Sequence, residues 1–187
     1  VYSDPIHFEY DEPRFANITQ YENGLKIDFT VMPVGLWSQI VVEPELRDDL
    51  DVGYRVLLDK DNLSDGLAPP THTAYQLAPP DEATYLDLIE QFFHEGTYVA
   101  KNLWRDELFP AKHCFETEMR LNHLLTMLEW RAGVANNWDI KTGVAGKGLK
   151  KYLPPEVWDL LAPTYAAADI EGNWAAFFAM LEVFRNL

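Results

Sequence analysis

Asn23-Gly24-Leu25-Lys26-Ile27-Asp28-Phe29-Thr30-Val31-Met32 sets the fold class of the first third of the chain. Asn-Gly is the strongest short hairpin signal, because both residues tolerate the positive φ that a tight primed turn requires. After the turn, Leu25, Ile27, Phe29 and Val31 alternate with Lys26, Asp28, Thr30 and Met32. That period of two predicts a half-buried strand, with residues 18–22 as its partner across the turn. A second apolar run, Tyr54-Arg55-Val56-Leu57-Leu58, ends at the polar Asp59-Lys60-Asp61-Asn62 and predicts another strand. The acidic stretch 36–51 between them predicts a connector with a short helix.

Composition changes at Ala68-Pro69-Pro70 through Ala78-Pro79-Pro80, which reads as a proline-rich linker over residues 68–80. Beyond it the pattern is helical. Asp81 is placed to cap a helix carrying Tyr85, Leu88, Ile89, Phe92 and Phe93, and the helical pattern resumes from Tyr98 to Leu108. A helix over 115–130 closes at Gly133, and Pro154-Pro155 opens a short one. From Asp169, Trp174, Phe177, Phe178, Leu181 and Phe184 form an apolar stripe. The expected class is α+β: a partial sheet over 1–67, the linker over 68–80, and a helical bundle over 81–187.

The chain of 187 residues is 48% hydrophobic and 24% charged, enough apolar surface for a packed core and too much for a disordered tail. No stretch approaches the roughly 20 apolar residues of a membrane span. The single cysteine, Cys114, and the lack of a signal-peptide core in residues 1–10 fit a cytoplasmic chain. The formal charge of −15 is concentrated early, with 16 acidic against 5 basic residues up to Glu82. Such a surface repels nucleic-acid phosphates and anionic lipid and attracts polycations, although solubility alone also explains it.

Three places could carry chemistry. Asp28 stands on the strand face opposite Leu25, Ile27, Phe29 and Val31, where a carboxylate suits a hard cation such as magnesium. A solvated strand aspartate is the plainer reading, since two-metal phosphoryl transfer needs several converging carboxylates. Tyr98-Val99-Ala100-Lys101-Asn102-Leu103-Trp104-Arg105-Asp106-Glu107-Leu108 packs charges and aromatics together. On a helix Lys101 and Arg105 share one face and repel, so either Asp106 and Glu107 pair with them or an anion sits there. Gly143-Val144-Ala145-Gly146-Lys147-Gly148-Leu149-Lys150-Lys151 could hold an anion or be a plain loop. It is not a Walker loop, lacking the spacing and the hydroxyl residue after Lys147. The histidines show no zinc spacing, and there is no Gly-x-Ser-x-Gly elbow.

These segments together resemble the aminoglycoside 6-adenylyltransferases, the streptomycin-modifying nucleotidyltransferases. The match runs through the Asn23 to Pro33 strand, Val56-Leu57-Leu58-Asp59-Lys60-Asp61, the Tyr98 to Leu108 signature and Lys150-Lys151-Tyr152-Leu153-Pro154. It ends at Asn173-Trp174 and Leu181-Glu182-Val183-Phe184-Arg185. The resemblance implies a partial nucleotidyltransferase mixed sheet followed by the helical bundle. It also implies transfer of AMP from MgATP to a drug hydroxyl. Asp28 would be the catalytic carboxylate that holds metal. Lys101, with Lys147 or Lys150, would neutralise the triphosphate. Tyr98 and Trp104 would offer flat faces to the drug, and Asp106 and Glu107 would meet its cations.

One part of the family pattern is missing: the Gly-Ser turn followed by Asp-x-Asp. Asp49-Leu50-Asp51 and Asp59-Lys60-Asp61 follow Asp28 and no Gly-Ser turn, so neither supplies it. The expectation is therefore an N-terminally truncated form that does not adenylylate by itself and that associates with further copies through exposed sheet edges. The alternatives are an acidic helical module that binds polycations without catalysis, and a nucleotidyltransferase with a different acceptor.

Overall fold

A hairpin turn forms at Asn23-Gly24, but only Gly24 takes a positive φ, and the loop closes between Tyr21 and Leu25 rather than as a two-residue primed turn. Gly24 takes a φ of +83° and the Asn23 side chain accepts a hydrogen bond from the Leu25 amide at 3.1 Å. The computed structural model describes residues 1–187 and divides them into two units, Val1–Ala74 and Tyr75–Leu187. In the first, strands β1 (Tyr2–Ser3), β2 (His7–Glu9), β3 (Glu12–Gln20) and β4 (Lys26–Val31) form a four-stranded sheet. β3 pairs antiparallel with each of the others, and its register with β4 runs from Phe15 opposite Val31 to Gln20 opposite Lys26. The β2–β3 turn puts Tyr10 and Asp11 at φ of +49° and +61°, a primed-turn geometry without a glycine to announce it.

The α+β class stands, with three differences from the sequence expectation. All strand pairs are antiparallel. The partner strand of β4 begins at Glu12, well before residue 18. Residues 54–58 form no strand, and Leu57 and Leu58 are 84% and 75% exposed. An apolar run becomes a strand only where another chain segment takes its backbone hydrogen bonds, and nothing in this unit does so. The alternation in β4 is real but its apolar face is uncovered, since Phe29 and Val31 are exposed. The buried apolar side chains of this unit are few: Leu36, Ile40 and Val41 of α1 (Val34–Val41), with Ala74.

Asp51 ends the short helix α2 (Asp48–Asp51) and is buried. Its carboxylate accepts hydrogen bonds from the amides of Thr71, Thr73 and Ala74 at 2.6, 2.9 and 2.8 Å and from the Thr71 hydroxyl at 2.8 Å. On the other side of Tyr75, Gln76 bridges to Lys141 and the Leu77 amide donates to the Ile140 carbonyl at 3.2 Å. The stretch read as a linker is thus held at residues 71–74 and again at 76–77, and the unit boundary falls between these two points.

The helical unit begins with α3 (Glu82–Trp104), where Asp81 accepts the Thr84 amide at 2.7 Å as an N-cap should. α4 (Leu108–Lys112), a π-helical stretch His113–Leu124 and α5 (Leu125–Ala135) follow as one continuous helix. Gly133 does not end it. Its bare Cα admits the Trp138 ring, into which an added Cβ would run. After α6 (Pro155–Asp159), α7 (Ile170–Arg185) starts at Asp169, which accepts the Gly172 amide at 2.6 Å. Its buried face is Asn173, Ala176, Phe177, Met180, Val183 and Phe184. The predicted stripe is rotated, leaving Phe178 exposed. Phe92 of α3 stacks on Phe184 at 3.6 Å between ring centroids, and Gly96 lets Phe177 approach.

Candidate functional site

α3 ends earlier than its pattern suggests. Val99 and Leu103 hold its last turns in the core, and the amides of Arg105 and Glu107 both donate to the Asn102 carbonyl. Asp106 then adopts φ +59°, the left-handed geometry that closes helices and that Asp tolerates better than most side chains. The chain turns there, and α4 starts at Leu108. The turn leaves Trp104 85% and Phe109 88% exposed, beside the carboxylates of Asp106 and Glu107. The negative end of a long helix, two carboxylates and two bare aromatic rings suit a cation carried on a flat or apolar body. Phe109 escaped the sequence reading. Its signal was an aromatic between Leu108 and Pro110, just beyond a helix stop.

Lys101 lies in the last turn of α3, and Arg105 has left the helix, so the expected face shared by these two cations does not form. Neither Asp106 nor Glu107 pairs with either of them, and no carboxylate lies within 4.0 Å of the Lys101 ammonium. Instead Lys101 Nζ sits over the Tyr98 ring, 4.1 Å from its centroid, and the His94 ring meets Tyr98 edge to face at 5.2 Å. Cys114 lies in the same neighbourhood. Burial, then the charges of Glu95 and Glu118, push its thiol above the usual range, and Lys101 acts against them.

Lys147 and Lys150 lie on a loop with Gly143, Ala145 and Gly146 at φ of +75°, +53° and +70°. The amides of Gly146, Lys147 and Gly148 are spent on carbonyls within the loop. These three amides are therefore not free to meet an anion, whereas the lysine side chains are. Lys150 Nζ lies 5.0 Å from the Trp158 ring, so it and Lys101 rest on different aromatic partners. In the sheet unit Asp28 is exposed, opposite Ile18, and its Oδ2 is 3.1 Å from Lys26 Nζ. No three His, Cys, Asp or Glu side chains are grouped to hold a metal ion. Asp28 offers one hard oxygen ligand and does not by itself fit a metal centre.

A cavity of about 170 Å³ opens in the helical unit among Leu121, Leu124, Leu128, Leu149, Trp158 and Tyr165. It is smaller than the roughly 300–1,000 Å³ of drug-sized sites, and its lining includes Ala145 and Gly146 of the lysine loop and the Trp158 ring but none of the charged residues singled out above. No helix is long and apolar enough to cross a membrane.

The model of the family described as streptomycin adenylyltransferase matches residues 3–187. Aminoglycoside 6-adenylyltransferase of Campylobacter jejuni is 29% identical over 177 residues, covering 94% of this chain and 58% of that protein. Its namesakes from Bacillus subtilis and Staphylococcus aureus are 28% and 27% identical, over 92% and 91% of this chain and 58% of each relative. The chain thus spans less than two thirds of the length of these relatives. The crystal structure of an aminoglycoside 6-adenyltransferase from Bacillus subtilis is similar at a TM-score of 0.54 and 24% identity, over 92% of this chain and 60% of that one. That likeness concerns the fold. Matched over nearly its whole length, the chain belongs to the streptomycin adenylyltransferase family.

Proposed function

We propose that residues 1–187 carry the acceptor-binding surface and part of the nucleotide-binding apparatus of an aminoglycoside nucleotidyltransferase. It would move AMP from ATP to a hydroxyl of a streptomycin-type drug and release pyrophosphate. The observation that carries the reading is the family match over residues 3–187. The acceptor is polycationic, and the net charge of −15 would draw it to the protein. At the end of α3, Asp106 and Glu107 would meet its cations and Trp104 would face its rings. Lys101, with Lys147 or Lys150, would take the triphosphate. A magnesium ion would stabilise charge on the phosphates, with Asp28 as one of its ligands. Asp28 alone does not build that centre, so the 187-residue chain is expected to bind drug without turning it over.

The test is calorimetric titration of streptomycin into the chain, without and with MgATP, alongside an assay for pyrophosphate release. Saturable drug binding supports the reading, and pyrophosphate release would overturn the claim that one carboxylate is insufficient. Equal displacement of the drug by spermine would favour a polycation-binding module. A cytoplasmic location and pairing of copies along the free edge of β4 belong to the same proposal, and sedimentation tests the pairing.

A further inference from the structure

Most of the engaged cations in this acidic chain are paired with carboxylates: Lys26 with Asp28, Arg47 with Glu43 and Glu9, Lys112 and Arg120 with Glu116. Lys101 is held differently. Its ammonium lies 4.1 Å from the Tyr98 centroid, whereas Lys150 and Arg185 lie 5.0 and 5.8 Å from their rings. His94 stands perpendicular to the same ring, and His94, Tyr98 and Lys101 fall on one face of α3 at i, i+4 and i+7. A carboxylate partner would cancel the charge of Lys101 and compete with an incoming phosphate. An aromatic face attracts the ammonium through its quadrupole while leaving the net charge intact.

We propose that Tyr98 is a positioning residue for Lys101, seating the ammonium on its ring so that the full charge meets a nucleotide phosphate, with His94 setting the ring's orientation. This rests on the reading of Lys101 as a nucleotide-binding residue. Tyr98 then serves the nucleotide side of the reaction rather than giving the drug a flat face. Its ring is occupied from the lysine side and steadied by the histidine.

Three variants test it in the 187-residue chain: Tyr98→Leu, which removes the ring, Tyr98→Phe, which keeps it, and Lys101→Ala. The first readout is the Lys101 ε-methylene proton shift by NMR, which a ring at this distance moves upfield. The second is calorimetric affinity for ATP and, separately, for streptomycin. Tyr98→Leu should abolish the upfield shift and weaken ATP binding about 2–5-fold, with drug affinity unchanged. Tyr98→Phe should keep both the shift and the affinity. A merely structural role would weaken ATP and drug together. The positioning role is overturned if Tyr98→Leu keeps the shift, if Tyr98→Phe fails to rescue, or if Tyr98→Leu weakens the drug as much as ATP. Loss of ATP binding in Lys101→Ala with none in Tyr98→Leu also overturns it while sparing the nucleotide reading. ATP binding that is absent, or indifferent to Lys101→Ala, sinks that reading instead, and the NMR shift still reports whether the ring seats the lysine.

Discussion

Arg120 should be the side chain whose loss costs the helical unit most for its size. It is buried in the π-helical stretch, and its guanidinium makes three directed contacts. Nε donates to Glu116 Oε2 at 2.5 Å, Nη1 to the Thr164 hydroxyl at 2.7 Å and Nη2 to the Thr164 carbonyl at 2.6 Å. Tyr165 covers the guanidinium at 3.8 Å. The fork thereby ties the segment ahead of α7 to the helix beneath it. In Arg120→Ala the fully buried Thr164 carbonyl loses this donor, and Glu116 retains only Lys112 at 3.5 Å. Removing one partner of a buried hydrogen-bonded pair costs about 3–5 kcal/mol. Arg120→Lys keeps the charge but cannot reproduce the fork, and should lose about 1–3 kcal/mol. Urea unfolding followed by tryptophan fluorescence reads this unit selectively, because five of the six tryptophans lie in it. With a slope of about 2 kcal/mol per molar urea, Arg120→Ala should lower the midpoint by about 2 M. A shift below about 0.3 M, or equal shifts for Ala and Lys, would refute the reasoning.

Three further outcomes are expected. Burial works to raise the Asp51 carboxyl, but the hydrogen bonds from Ala74, Thr71 and Thr73 outweigh it and hold the group well below the usual carboxylate range. Because the folded value is depressed, this stabilisation is present above the unfolded value and is lost as pH falls below about 4. Acid titration should therefore release residues 71–74, read by amide exchange, and Asp51→Asn should flatten that dependence. Gly133→Ala should destabilise the chain by about 1–3 kcal/mol in thermal unfolding, because a Cβ there collides with the Trp138 ring. Cys114 should react with iodoacetamide only at higher pH than a free thiol, since burial, Glu95 and Glu118 all disfavour its thiolate.

What the sequence revealed is what local chemistry decides. Asp81 and Asp169 cap their helices because capping needs only a short side chain at the right place, and Asn23-Gly24 makes its turn for the same kind of reason. Features that depend on distant partners were hidden. Residues 54–58 have the composition of a strand and no neighbour to pair with. Asp49-Leu50-Asp51 has the look of a metal motif, yet Asp51 spends its carboxylate on residues 71–74. The end of α3 was misplaced because Asp106 takes the left-handed position that glycine would have announced. Among the candidate site residues, Tyr98 and Lys101 are brought together as their spacing suggests. That the lysine rests on the ring, free of Asp106 and Glu107, emerges only from the fold.

The proposed function requires the drug to meet the end of α3. Streptomycin should be titrated calorimetrically into the chain and into an Asp106→Asn/Glu107→Gln variant, which removes two charges while keeping a residue that tolerates the left-handed turn. Saturable binding weakened about tenfold in the variant is the predicted result, in line with two partly exposed charge contacts. Equal affinity in the two proteins, or no binding to either, would contradict it.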